Sequence, residues 1–293
     1  MILVVGATGI LGNEICRRLA SRGDPVRALV RPTSNAERIA QLNALGAELV
    51  WGDLKNAASL RDACRGVDTV VSTASSTLTR QEGDSIESVD RQGQLDLIAA
   101  ADGAGVERFV LISFPGSAES FPLQDAKRAV EDRLRNARMV HVILQPTCFM
   151  EIWLSPALGF DPANASARIL GSGTNAVSWI SFLDVAAFAA AAVHEPNAAN
   201  KTLQLGGPDA LSPLDVVRLA ERQTGKPIAV QHVPEEALRA QKCAATDPLM
   251  QSMAGLMLYC ARGDVIDTTE AHNVLATQPQ RSVSEYLQDT LGK

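Results

Sequence analysis

Residues 1–12, "MILVVGATGILG", decide the fold. Ile2 to Val5 form an unbroken apolar run of β-prone residues, and an amphipathic stretch begins at Ile10. Between them stand Gly6, Gly9 and Gly12, at the junction of a strand and a helix. At such a junction the first glycine permits the tight turn. The second lets the backbone approach a pyrophosphate, and the third lets the helix pack close to the strand. The free N–H groups at the start of the helix then point at the anion, and the helix dipole favours it. Gly6, Thr8, Gly9, Ile10, Leu11 and Gly12 are therefore expected to cradle the diphosphate of a dinucleotide.

Outward from this motif, short β-rich runs alternate with helical patterns. The runs are 2–5, 26–30, 47–50, 68–73, 108–113 and 139–144, and the amphipathic stretches are 10–22, 34–45, 57–65, 84–104 and 124–136. A repeated βα order implies a parallel sheet with helices on both faces. Strands covered on both sides should be almost continuously apolar, as these are. The fold class expected is α/β, a doubly wound parallel-sheet Rossmann fold. Its body should span 1–150 and be completed by 178–206, where "VSWISFLDVAAFAAAAV" reads as strand and helix and "KTLQLGG" as a strand. A smaller C-terminal substrate lobe is expected from 151–177 and 207–293. Within it, Ser212-Pro213 reads as an N-cap with proline at the first helical position. The stretch 247–260 places Leu249, Met250, Met253, Leu256, Met257 and Cys260 on one helical face.

The second strand ends "ALVRPTS". Folds that select NAD place an acidic residue here for the ribose 2′-hydroxyl, and this chain has Arg31 instead. A guanidinium matches a phosphate in charge and in forked donors, which predicts NADP(H) over NAD(H). Thr33 and Ser34 add hydroxyls beside Arg31. Asp53, followed by Leu54, is placed to accept from the adenine amino group. Ser75, after the fourth strand, should approach the nicotinamide-side ribose, and Pro146 ends the strand beyond it.

Composition bounds the remaining classes. The 293 residues are 46% hydrophobic and 20% charged, which allows a core of ordinary size. The net charge of −6, with no run of Lys or Arg, speaks against nucleic acid as a partner. The 5 cysteines form no CxxC pair and have no histidine at metal spacing. Their odd count argues against a disulfide framework and points to the cytoplasm, with no metal expected. No apolar run is long enough for a signal peptide or a span, so no membrane partner is expected.

The segments "GATGILG", "VRPTS", "GDL", "VDRQGQLDLIAAADGAGVERFVLIS", "AKRAVEDRLR", "ILQPTCFME", "WISFLDVA" and "LQLGGPDALSP" together resemble the NmrA-like, atypical branch of the short-chain dehydrogenase/reductases. The resemblance covers most of residues 1–215. It implies either NADPH-dependent reductases of quinones, isoflavone-type or phenylpropanoid-ether substrates, or regulators that bind the dinucleotide without turnover. It also implies a lysine at Lys127 that holds the nicotinamide ribose and, in isoflavone-type reductases, serves as acid/base. The tyrosine four residues before that lysine in the wider superfamily is missing: Leu123 stands there. Tyr259 and Tyr286, the only tyrosines, fall far along the chain in the expected lobe.

Ser113 ends the fifth strand near where the superfamily keeps a polar catalytic residue. Phe149, Met150, Trp153 and Leu154 are expected to line an apolar substrate pocket, which favours a small apolar or aromatic molecule. Cys148 stands close to the same place and reads as a small buried hydrophobe rather than a reactive thiol. The functional expectation is an NADPH-dependent reductase of a small apolar or aromatic carbonyl, enone or quinone. The alternative is a non-catalytic NADP(H)-sensing regulator or assembly factor.

Overall fold

The computed structural model describes residues 1–276 and 280–291. The expected lobe at 207–293 thus includes 277–279 and 292–293, which lie outside the described residues. The elements begin with β1 (Ile2–Val5), α1 (Ile10–Ser21), β2 (Val26–Val30), α2 (Ala36–Ala44), β3 (Glu48–Trp51), α3 (Ala57–Ala63) and β4 (Thr69–Ser72). A π-helical segment, Ile86–Gly93, runs directly into α4 (Gln94–Ala104), so the single helix expected at 84–104 has two geometries. Then follow β5 (Arg108–Ile112), α5 (Pro122–Arg135) and β6 (Val140–Pro146).

The remaining elements are shorter or helical. They are α6 (Met150–Trp153), β7 (Phe160–Asp161), β8 (Ser166–Leu170), β9 (Val177–Ser178), α7 (Phe182–Ala192), β10 (Lys201–Leu205) and β11 (Ala210–Leu211). The chain ends with α8 (Pro213–Thr224), β12 (Ala229–Val233), α9 (Glu235–Ala244), α10 (Pro248–Arg262), α11 (Thr269–Leu275) and α12 (Val283–Leu291). Ser212 caps α8 through a reciprocal bond with Asp215, with Pro213 at its first position.

The main sheet has seven strands in the order β10-β6-β5-β4-β1-β2-β3, and every pairing in it is parallel. Successive side chains of a strand point to opposite faces. Val4, Val71, Val110, Val142 and Leu203 accordingly join one core with α1, α2, α7 and α11. Leu3, Val70, Phe109, Leu111 and Ile143 join another with α3, α4 and α5. Both faces are dry, which is why these strands read as continuous apolar runs rather than alternating ones.

A third core, built from Met150, Leu154, Phe160, Ile169, Trp179, Val216, Tyr259 and Leu287, gathers the segments after β6. Two details differ from the sequence reading. Helix α11 belongs to the first core, through Ala271 and Leu275, and not to the lobe, because it packs on α7 and β10. In α10 the buried side is Ser252, Ala254, Gly255, Leu258, Tyr259 and Cys260. The expected methionine face is its flank, and Met250 is 47% exposed. Docking on α5 selects this rotation. Gly255 lies so close to Phe121 that an added Cβ would come within 2.5 Å of its ring. Ser252 Oγ accepts the Leu123 amide at 3.0 Å.

Candidate active site

Parallel strands deliver their following residues to one edge of the sheet. Gly6, Arg31, Asp53, Ser75, Ser113 and Pro146 stand at or just beyond the C-terminal ends of β1 to β6. The strand order reverses between β1 and β4, which makes the crevice above that pair the expected ligand position in an open α/β sheet.

The glycine loop has the shape that the crevice needs. Gly6 adopts φ +87°, in the left-handed region, and its amide neighbourhood is crowded by Thr73 and Ala74 at the end of β4. A Cβ on Gly12 would lie 2.2 Å from the Gly6 carbonyl oxygen. Gly9 is exposed, and a Cβ there would meet only that same oxygen at 3.2 Å. Gly9 caps α1 without any side-chain hydrogen bond, and no acidic residue stands in the helix's first turn. The amides at this N-terminus are left for an external anion. A diphosphate fits this cradle, with Thr8 half-buried beside it and Ile10 exposed.

Around Arg31 the charges are paired. Arg31 Nη1 donates to Asp84 Oδ2 at 2.8 Å and lies 4.0 Å from Asp53 Oδ2. Lys55 Nζ binds the other Asp84 oxygen and lies 3.4 Å from Asp53. Burial pushes the Asp84 carboxyl up, but hydrogen bonds from Lys55 and Arg31 outweigh it and hold the group down at about 2. The sequence reading did not supply Arg31 with this carboxylate partner. Asp84 sits in the segment between β4 and the π-helical turn, 53 residues further along the chain. The same segment reaches Thr33, whose hydroxyl bonds Gln81. Ser34 Oγ accepts the Arg31 amide at 3.1 Å. Asp53 accepts the Lys55 amide, while Asn56, not Asp53, caps α3. Leu54 is buried against Gly93. Ser75 shares a hydrogen bond with Thr77.

A second group of polar side chains centres on Lys127. Its side chain is buried on α5, with Nζ 3.5 Å from the Ile112 carbonyl oxygen and 3.9 Å from Asp90 Oδ1. Burial lowers its pKa, against the opposing pull of Asp90 and Glu131. Asp90 is fully covered and comes from the π-helical turn, a geometry frequent at functional sites. Its Oδ2 accepts from the amide and hydroxyl of Ser76, at 3.0 and 2.6 Å, while Oδ1 has no hydrogen-bond partner among the described residues. Gln94 bridges Ser72 and the Ala74 carbonyl, which fixes the loop carrying Ser75 and Ser76. Asp90, Ser76, Gln94, Lys55 and Asp84 were missed by the sequence reading. Only a partner many residues away gives each of them a role, and no spacing encodes that.

Several expected residues do other work. Ser113 Oγ donates to Glu131 Oε1 at 2.6 Å, within a buried cluster that also holds Arg128, Arg135 and Gln145. Its hydroxyl is thereby tied to that cluster. Trp153 and Leu154 line a void of about 40 Å³ inside the lobe, together with Phe160 and Trp179. Met150 is buried in the same lobe core, whereas Phe149 leans on the first core. Of the four, Trp153 and Leu154 border that void. Cys148 lies beside Cys260; its hydrogen bond to that sulfur, then burial, pushes its pKa well up, so it stays a neutral thiol.

Tyr259 is nearer than its sequence position suggests. Its ring meets that of Phe114, the residue after Ser113, edge-on at 6.5 Å between centroids. Its hydroxyl is buried without a partner among the described residues. Tyr286, in contrast, donates to the Leu154 carbonyl at 3.0 Å. No group of three metal-ligating side chains occurs among the described residues, and no helix there is long and apolar enough to cross a membrane.

Comparison with known proteins extends this picture. The chain is 34% identical over 295 residues to an NAD(P)H azoreductase from Xenophilus azovorans, covering 98% of this chain and 96% of that protein. It is 32% identical over 240 residues to the photosystem II assembly factor Ycf39 of Synechocystis, covering 81% of this chain and 72% of that one. An NADPH-dependent quinone oxidoreductase from Escherichia coli, solved with NADPH, superposes with a TM-score of 0.80 over 99% of this chain and 100% of its own, at 22% identity. At that identity the superposition speaks for the fold alone. The sequence profile of the NmrA-like family matches residues 1–287, so the chain belongs to that family.

Proposed function

We propose that the protein is an NADP(H)-dependent reductase of a small, flat, apolar or aromatic acceptor: a carbonyl, enone or quinone, or an azo compound of the kind its azoreductase relative acts on. The observation that carries the reading is Lys127, a buried amine of lowered pKa at the strand-end edge, ion-paired at 3.9 Å with an Asp90 oxygen that has no hydrogen-bond partner among the described residues. The whole-length similarity to an NAD(P)H azoreductase supports it. So do the glycine cradle and Arg31, which fit the diphosphate and the 2′-phosphate of the cofactor.

A bound dihydronicotinamide supplies a hydride, and the acceptor must also gain a proton. In this reading Lys127 gives that proton and hydrogen-bonds the cofactor's ribose. Asp90 holds the ammonium in place, and Ser76 and Gln94 fix the loop that positions Asp90. Ser75 stands on the ribose side, and Pro146 closes the far wall. Phe114 and Tyr259 wall the acceptor side with aromatic surface. The free thiols of all five cysteines fit a reducing compartment such as the cytoplasm.

Lys127→Met tests the reading. Turnover with a panel of quinones, enones and azo dyes should fall by about 10²–10⁴-fold, the usual contribution of a general acid. NADPH affinity should weaken only by about tenfold, as for one hydrogen bond from a charged donor. Turnover that survives at saturating NADPH would remove Lys127 as the proton donor.

A second reading, a dinucleotide-sensing regulator or assembly factor, is favoured by Leu123 at the tyrosine position and by the similarity to Ycf39. It expects NADPH binding with no member of the panel consumed by either form.

A further inference from the structure

We propose that Asp84 sets the cofactor choice by competing with the 2′-phosphate for Arg31, so that the site accepts NADH alongside NADPH rather than NADPH alone. The inference rests on the dinucleotide reading above. It concerns one side chain that the glycine motif and the strand-end arginine do not include.

Two cations and two anions meet at the adenosine end. Arg31 and Lys55 face Asp53 and Asp84, and their formal charges cancel. Asp84 is the most covered of the four: its side chain is 2% exposed, against 26% for Arg31 and 27% for Lys55. It also accepts the Gln81 amide at 3.0 Å, which fixes the carboxylate from its own segment. Asp84 stays ionised at any working pH, so its negative charge cannot be removed by protonation.

An arriving 2′-phosphate must draw Arg31 away from a carboxylate that water does not reach. Taking one partner from a covered ion pair leaves the other poorly compensated, and that cost opposes the gain at the phosphate. Lys55 limits the cost, since it remains on Asp84 when Arg31 turns. A ribose 2′-hydroxyl makes the opposite demand. It needs an acceptor, and Asp53, whose side chain is 28% exposed beside Arg31, provides a carboxylate oxygen without any cation having to leave Asp84. The same four side chains therefore serve both cofactors, and the balance between them lies with Asp84.

The test measures dissociation constants for NADPH and NADH by nicotinamide fluorescence, with folding checked by circular dichroism. The wild type should bind the two within about tenfold of each other, less than the ratio that a charged hydrogen bond at a free arginine gives. Asp84→Asn should tighten NADPH, leave NADH nearly unchanged and shift the ratio by about tenfold towards NADPH. Lys55→Gln, which leaves Asp84 wholly dependent on Arg31, should shift the ratio the other way and keeps the test open if Asp84→Asn fails to fold. Should neither dinucleotide bind the wild type, the cofactor reading falls and this inference with it. Should both bind while the folded variants leave the ratio unchanged, the cofactor reading stands and the role of Asp84 is overturned.

Discussion

Gly9 and Gly12 differ in what a side chain would strike. At Gly12 a Cβ would enter the Gly6 carbonyl at 2.2 Å, so any substitution must break the turn. At Gly9 φ is −74°, and a Cβ would meet only the Gly6 carbonyl oxygen, at 3.2 Å, a contact that a small shift relieves. Gly9→Val should therefore melt within about 2 °C of the wild type, as exposed substitutions do. The same change should abolish dinucleotide binding, because the side chain fills the approach to the helix amides. A folded Gly9→Val protein that still binds NADPH would show that the anion sits elsewhere. Asp264 gives a second prediction. Burial raises its carboxyl to about 6, and its Oδ2 has no partner among the described residues. The folded state thus holds this proton more tightly than the unfolded chain does. The resulting stabilisation is complete below about pH 4 and is lost as pH rises through about 6. Relative to Asp264→Asn, the wild type should lose about 1 kcal/mol between pH 4.5 and 7.5, after discounting the raised value for solvent screening. Urea midpoints at the two pH values measure this, and parallel behaviour of the two proteins would refute it.

Among the elements, α10 carries the lobe to the sheet. It does so through a small residue: Gly255 faces the Phe121 ring at the start of α5, the helix that bears Lys127. Gly255→Val forces the ring and the helix apart, and overpacking of this kind costs about 1–3 kcal/mol. The expected result is a lower urea midpoint and, because Lys127 loses its cover, weaker turnover at saturating NADPH. A variant as stable as the wild type would mean that α10 docks by other contacts. Element types were legible where local signals agree. Unbroken apolar runs gave the strands, and Ser212-Pro213 gave the start of α8. The π-helical turn was not legible, because Ile86 and Val89 have the spacing of an ordinary helix and the extra residue per turn leaves no pattern.

At the scale of the molecule, the tight shape of the glycine loop was readable because Gly6, Gly9 and Gly12 are adjacent in the chain and each has a local steric reason. The side-chain pairs gathered at the same edge were not. Arg31 meets Asp84, Lys127 meets Asp90 and Phe114 meets Tyr259 only after the sheet has formed, and each pair joins segments that no periodicity links. The methionine flank of α10 failed for the same reason: hydrophobicity alone did not fix the rotation that Phe121 and Leu123 impose. The separation of α11 from the lobe likewise depends on where β10 lies, which topology decides.

Strand β10 carries a further consequence, for the order of assembly. It pairs with β6 in register from Lys201–Val142 to Leu205–Pro146, yet the segments that supply Met150, Phe160, Ile169 and Trp179 to the lobe intervene in the chain. On a ribosome, β1 to β6 emerge first and can pair among themselves. β6 is left with a bare row of amides and carbonyls, as well as apolar faces, until residue 205 has cleared the exit. An unpaired strand edge of this kind invites another chain to pair with it. The nascent protein is therefore most exposed to misassembly while the first segments of its lobe are being made, and the strand that then covers the β6 edge also completes the floor beneath Pro146.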